Sequence, residues 1–139
     1  MVTASTAAPL PAQDNTLATF STSWLEPSTA AVSVHGELDA ANAGEFIRCV
    51  SALLPSTERL ILDLSAVRFF GTAGFSALHT LSVQAAGLGV SWALIPSREV
   101  TRLLGICDPE SALPSHDTLR DALAGVRRGA ARFPRLVRG

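Results

Sequence analysis

A nearly continuous apolar run, Leu60-Ile61-Leu62-Asp63-Leu64, constrains this chain more than any other stretch. It reads as the core of a central buried strand starting at Arg59. A short turn follows, ending at Gly71-Thr72. Phe75, Leu78 and Leu81 then recur at helical spacing, so a helix is expected over 72–86, stopped by Gly87 and Gly89. This order sets one hydroxyl, on Thr72, at a helix N-terminus just outside the end of a buried strand. A hydroxyl there can act as a cap. It is also a place where an added phosphate is well accommodated, because helix N-termini favour anions.

The rest of the chain supplies strands and helices in alternation. A first strand is expected over Thr16 to Leu25, with Phe20 and Trp24, and a turn at Pro27-Ser28-Thr29. Val32 and Val34 alternate with Ser33 and His35 in a second strand, Ala31 to His35, close enough to the first to pair as a hairpin. Asp39 is placed to cap a first helix carrying Phe46, Ile47, Val50, Leu53 and Leu54, ended by Pro55. A fourth strand is expected over Val90 to Ile95. Pro96-Ser97 opens a third helix with Val100, Leu103 and Leu104 on one face and Gly105 as its stop. Asp117 is placed to cap a last helix with Leu119, Ala122, Leu123 and Val126 inward. The order β-β-α-β-α-β-α-α implies parallel pairings from residue 31 onward, in a sheet made mixed by the opening hairpin.

Length and composition bound the class. A chain of 139 residues is most simply one domain, and at 47% hydrophobic and 17% charged residues it can fold on its own core. No apolar run approaches the ~18 residues of a membrane span. The first fifteen residues have no basic stretch leading into an apolar one, so a cytoplasmic setting without membrane contact is expected. Residues 1–15 read as a flexible leader, rich in Ala, Pro, Thr and Ser. The net charge of −1 hides an asymmetry: five of eleven basic residues, Arg127, Arg128, Arg132, Arg135 and Arg138, lie in the last thirteen positions, which hold no acid. The body before them carries six basic and twelve acidic groups, which disfavours direct nucleic-acid binding. The tail, 128–139, reads as a solvated, disordered end. Cys49 and Cys107 lack zinc or CxxC spacing and read as small buried hydrophobes.

Catalytic constellations are missing from the pattern. Gly74-Phe75-Ser76-Ala77-Leu78 lacks the closing glycine of a nucleophile elbow. His35, His79 and His116 are scattered, and His79 lies nearly two helical turns beyond Thr72, so no catalytic residue is assigned. No Gly-rich phosphate loop and no cluster of metal-ligating side chains is present, so neither a cofactor nor a metal is expected. Two loops remain, around Thr72 and over Gly36 to Asn42, both at strand-to-helix junctions where open α/β sheets gather their sites. Phe70 reads as an apolar anchor beside them, and the periodicity assigns Phe69 and Phe75 more to the core.

Four stretches carry a family resemblance. Gly36-Glu37-Leu38-Asp39, then Asp63-Leu64-Ser65-x-Val67-x-Phe69, then Thr72-x-Gly74 opening a helix, resemble the STAS domain of bacterial anti-sigma factor antagonists. The segment Leu113-Pro114-Ser115-His116-Asp117-Thr118-Leu119 with Ala122-Leu123 is similar to that family's closing segment. The resemblance spans about residues 17–126 and implies a STAS-like α/β domain over 16–127, with a mixed four- to five-stranded sheet and about four helices. It implies a regulator and not an enzyme. Such a protein binds an anti-sigma factor that is also a Ser/Thr kinase of the histidine-kinase-like ATPase type, and so frees a sigma factor for transcription. The kinase phosphorylates the antagonist at the start of the second helix, and a phosphatase reverses this. On this chain the acceptor position is Thr72, and the implied contact surface is Gly36, Glu37, Asp39, Phe70, Gly71, Thr72, Ala73 and Phe75. Two departures stand out: Gly71 where the family commonly has Asp, and Thr72 where it commonly has Ser. An alternative reading is a STAS-type binding module without phosphorylation control, with redox sensitivity through Cys49 and Cys107.

Overall fold

In the computed structural model, which describes residues 18–132, the apolar run begins a 12-residue strand, β3 (Arg59–Phe70). Two parallel neighbours flank it, β2 (Thr29–Leu38) and β4 (Ser91–Pro96). The first strand, β1 (Ala18–Glu26), pairs antiparallel with β2 across the Pro27-Ser28 turn. The sheet is therefore mixed and four-stranded, ordered β1-β2-β3-β4. The expected leader over 1–15 and the tail beyond Arg132 lie outside the described residues.

Side-chain alternation assigns the two faces. Leu60, Leu62 and Leu64 point with Val32, Val34 and Leu94 into the larger core. Three helices cover that side: α1 (Ala43–Ser51), α2 (Thr72–Leu88) and α3 (Arg98–Cys107). They contribute Phe46 and Val50, then Ala77, Leu78 and Leu81, then Val100 and Leu104. Ile61 points the other way, with Ala31, Ala93 and Ile95, onto Ala122 and Val126 of α4 (Leu119–Arg132). Each fully buried Leu or Ile contributes roughly 1.5–3 kcal/mol, so β3 anchors both layers.

The second half of β3 departs from expectation. Ser65 to Phe70, expected as a turn, continues the strand, and β2 runs on beside it to Leu38. The ladder crosses two irregularities, between Ser33 and His35 and between Gly36 and Glu37, and then closes with Glu37 opposite Phe69 and Leu38 opposite Phe70. Each irregularity shifts which side chains face the core. Burial along this half falls on Leu64, Val67 and Phe70, a spacing of three that breaks the period of two by which a strand is read.

Several ends also move. The first helix stops at Ser51, before Pro55; Leu54–Ser56 form a 3-10 turn that still buries Leu54. The second ends at Gly89, whose φ of 71° is left-handed, and passes through Gly87. The third starts at Ser97, whose hydroxyl accepts from Val100 N at 3.2 Å, and runs past Gly105 to Cys107. The fourth is capped by Thr118, which accepts from Asp121 N at 3.1 Å, so Asp117 is not the cap. Leu119 is exposed, not inward. Helix α4 continues to Arg132, so 128–132, expected in the tail, are helical. Its Arg127 pairs with Glu26 of β1, and this hydrogen bond, with one from Thr29, holds the Glu26 carboxyl below the usual range.

The junction of β3 and α2 depends on one close approach. A Cβ on Gly74 would lie 2.6 Å from Cε1 and 2.8 Å from Cδ1 of the buried Phe70 ring. Gly74→Ala is therefore expected to destabilise the fold by about 1–3 kcal/mol. Urea unfolding checks this, and Phe70→Leu combined with Gly74→Ala should recover part of the loss.

Candidate functional site

Leu38 and Phe70 close the β2–β3 ladder, and Gly71 N donates to Leu38 O at 3.0 Å. The two chain segments leaving the sheet there, Asp39 to Asn42 and Gly71 to Thr72, thus start side by side. The first is stitched by Asn42, which is 6% exposed. Its Oδ1 accepts from Asp39 N at 3.0 Å, and its Nδ2 donates to Glu37 O at 2.9 Å. Asp39 O accepts from Asn42 N and Ala43 N at 3.1 and 2.9 Å. The N-cap of α1 is Asn42, with no side-chain capping bond, so the expected Asp39 cap does not form. Asn42, three positions beyond Asp39, holds the loop because an Asn side chain both donates and accepts, and so satisfies two of its backbone groups.

Asp39's carboxylate instead sits over Gly71. A Cβ on Gly71 would collide with Asp39 Oδ1 and lie 3.6 Å from Cε2 of Phe69. Asp39, Phe69 and Gly71 therefore meet at one point, one residue before Thr72. Thr72 is exposed. It occupies the first position of α2, not its cap, which is Gly71; no side-chain capping bond forms there. Gly71 O accepts from Gly74 N and Phe75 N at 2.9 and 3.3 Å, which starts the helix without the hydroxyl. The first turn of α2 holds no acid, so Asp39 stands near the positive end of the helix from outside it.

The expected contact residues divide into two groups. Asp39, Gly71, Thr72, Ala73 and Phe75 lie at this corner, with Thr72 exposed and the others partly so. Glu37 is partly exposed on the last turn of the β2 ladder. Phe70 and Gly36 are buried and cannot offer side-chain contact. Gly36 has φ 118° at the second ladder irregularity, a backbone state that only glycine adopts readily. The aromatic assignment is inverted: Phe70 is 5% exposed under Gly74, and Phe69, assigned to the core, is 46% exposed. The pairing of Glu37 with Phe69 explains this, and only knowledge of the ladder irregularities would have revealed it.

Other chemistry is sparse among the described residues. No group of three or more His, Cys, Asp or Glu side chains could hold a metal. His35 and His79 are exposed, and His116 packs against Gly125 of α4. A hollow lined by Ser28, Pro55, Thr57 and Glu58 lies at the opposite end of the parallel strands, away from Thr72. Cys49 and Cys107 are free and only half-buried, on α1 and α3, which each pack on α2. Burial, and then the Glu45 charge, push the Cys49 thiol up, which lowers its thiolate fraction. No helix among the described residues is long and apolar enough to cross a membrane.

Comparison with known proteins gives these features a context. Residues 26–122 match the STAS domain family. The chain is 33% identical over 118 residues to osmosensory protein A of Mycobacterium tuberculosis, covering 82% of this chain and 75% of that protein. It is 31% identical over 105 residues to the anti-sigma-F factor antagonist RsfB of the same organism, covering 72% and 83%. A crystal structure of an anti-sigma factor antagonist from Mycobacterium paratuberculosis superposes with a TM-score of 0.70 at 26% identity, over 79% of this chain and 94% of that one. The chain thus belongs to the STAS domain family and is related in sequence and fold to its anti-sigma factor antagonists.

Proposed function

We propose that this protein is an anti-sigma factor antagonist whose binding surface is the corner formed by Glu37, Asp39, Phe69, Gly71, Thr72, Ala73 and Phe75. Its partner on this reading is an anti-sigma factor that is also an ATP-dependent Ser/Thr kinase, and the complex releases a sigma factor for transcription. The observation that carries the reading is Thr72 itself: an exposed hydroxyl at the first position of a helix, unused in capping, beside a carboxylate and an exposed ring. Phosphorylation makes a bond from Thr72 Oγ1 to the γ-phosphorus of ATP; ADP leaves, and the hydroxyl proton is lost to solvent or a kinase base. A phosphatase reverses this by hydrolysis.

The switch follows from charge and needs no refolding. A phosphothreonine adds about −1.5 to −2 charges, which the N-terminus of α2 accommodates within the free domain. Closed against a partner, the same charge must be desolvated beside the Asp39 carboxylate. A penalty of about 2.7 kcal/mol already weakens binding a hundredfold.

Binding and phosphorylation are tested together. Affinity capture from native extract should recover a histidine-kinase-like anti-sigma factor, and incubation with ATP should place one phosphoryl group on Thr72, mapped by mass spectrometry. Thr72→Glu should weaken binding of that factor by about a hundredfold, and Thr72→Ala should keep it within a few-fold. Equal binding by wild type and Thr72→Glu would favour the alternative, a module without phosphorylation control. Redox control is tested separately. With its thiol pushed up, Cys49 should alkylate more slowly at pH 8 than a cysteine in an unstructured peptide, with its rate profile displaced to higher pH. Partner affinity should be the same with and without reductant.

A further inference from the structure

The sheet ends on β4 at one side and on β1 at the other, and among the described residues the chain guards only the first of these edges. At β4 the segment before α4 closes on the strand: Leu94 N donates to Pro114 O and His116 N donates to Leu94 O, both at 2.9 Å. β1 has β2 as its one strand neighbour, and no described loop bonds its outer edge. Edge strands are ordinarily blunted by Lys, Pro, a central bulge or short length. β1 runs 9 residues, from Ala18 to Glu26, without Lys or Pro. Its register shift lies at its far end, between Trp24 and Glu26, and its only charge, on Glu26, is paired with Arg127. Residues 18–24 thus present an uninterrupted row of outward backbone N–H and C=O groups. Trp24 stands opposite Ala30 on the same face as Phe20, yet it is 48% exposed.

We infer that the free edge of β1 takes the β1 strand of a second copy of this chain, antiparallel about a twofold axis through Thr22. The strand is self-complementary in that register. Facing residues of a ladder share a side of the sheet, so the axis must pass through a residue and not between two. Centred on Thr22, Thr22 faces its own copy, Ser21 faces Ser23, and Phe20 of each copy faces Trp24 of the other. The exposed indole then gains an aromatic partner, a favourable cross-strand pair. Centred on Ser21, the ring pair is lost and Trp24 faces Ala18; centred on Ser23, Phe20 faces the charge of Glu26. The rungs from Phe20 to Trp24 fit before the register shift ends the ladder, and no like charges oppose each other. Two 4-stranded sheets then join as one continuous sheet. An interface of one strand edge and two ring pairs falls near the small end of specific contacts, about 1,200 Å², so association belongs in the micromolar range. No residue of the Thr72 corner lies on β1, so the inference stands apart from the reading of that corner.

The test is sedimentation equilibrium of the full chain over about 5–500 µM, with thermal midpoints measured for every variant. The wild type should pass from monomer to dimer within that range. Thr22→Lys and Thr22→Glu each set like charges face to face on the axis, and each should weaken the dimer by about tenfold or more. Thr22 is exposed, so the monomer's midpoint should stay unchanged. Mixed in equal amounts, the two variants should form a heterodimer within about threefold of wild-type affinity, because Lys then faces Glu. That recovery requires residue 22 of one copy to face residue 22 of the other, and a dimer built on another surface does not give it. Trp24→Ser, which removes the ring pair, should weaken the dimer by about tenfold. A wild type that stays monomeric at the highest concentration, or Thr22→Lys dimerising as wild type does, would overturn the inference. So would a mixture of the two charged variants that fails to recover. A wild type that dimerises only once residues 1–16 are removed would give the edge to that segment and refute the inference as well.

Discussion

The parallel ladder between β2 and β3 is the interaction on which the site depends. Its first rungs, Thr29 opposite Arg59 to Ser33 opposite Asp63, hold the centre of the sheet and expose both faces of β3 to helices. Its last rungs, Glu37 opposite Phe69 and Leu38 opposite Phe70, serve the surface. They bring two loops to one corner from positions more than thirty residues apart in the chain. Without those rungs, Asp39 and Gly71 would have no reason to meet. The two irregularities along the ladder set which rings turn inward, burying Phe70 and presenting Phe69.

Phe70 then couples the ladder to α2. Its ring lies where a Cβ on Gly74 would be, so the first turn of the helix rests on the last residue of the strand. Thr72 sits between these two fixed points. Its exposure is thus not that of a loose loop but that of a helix start clamped from beneath. A phosphate placed there changes the charge of a rigid corner. On the proposed function, clamping would let a charge switch act without a conformational change, since the surface offered to a partner is set before binding.

The architecture was largely legible in the sequence because its signals are local and periodic. The run Leu60 to Leu64 identifies the central strand, and Phe46 with Val50 and Leu78 with Leu81 identify helices, since each pattern is set by burial on a nearby face. Long-range or competing signals were not legible. Ser65 to Phe70 is a strand because β2 lies beside it, and the bulged register removes the alternation that would announce it. Asp39 and Asp117 each look like caps, yet Asn42 and Thr118 hold the helix-start positions. Several polar side chains compete near each helix start, and the geometry of the incoming loop, not residue type, decides among them. For the site the same division holds. Thr72 stands out from its place after a buried strand and before a helix, whereas Phe69 could not be separated from Phe70 without the register.

Gly71 shows how much a single missing side chain can mean when its surroundings are known. Read along the chain, it is a loss, because a carboxylate that could precede Thr72 is absent. Read in space, the carboxylate is present, on Asp39, in the volume that a side chain at 71 would occupy. A side chain at 71 would require the Asp39 carboxylate, the free end of a flexible and partly exposed side chain, to turn aside. The two positions are therefore neighbours in space, brought together by the β2–α1 loop, whose conformation follows from Asn42 and the last rungs of the ladder. The chemistry of the corner is thus set by topology as much as by the residues next to Thr72.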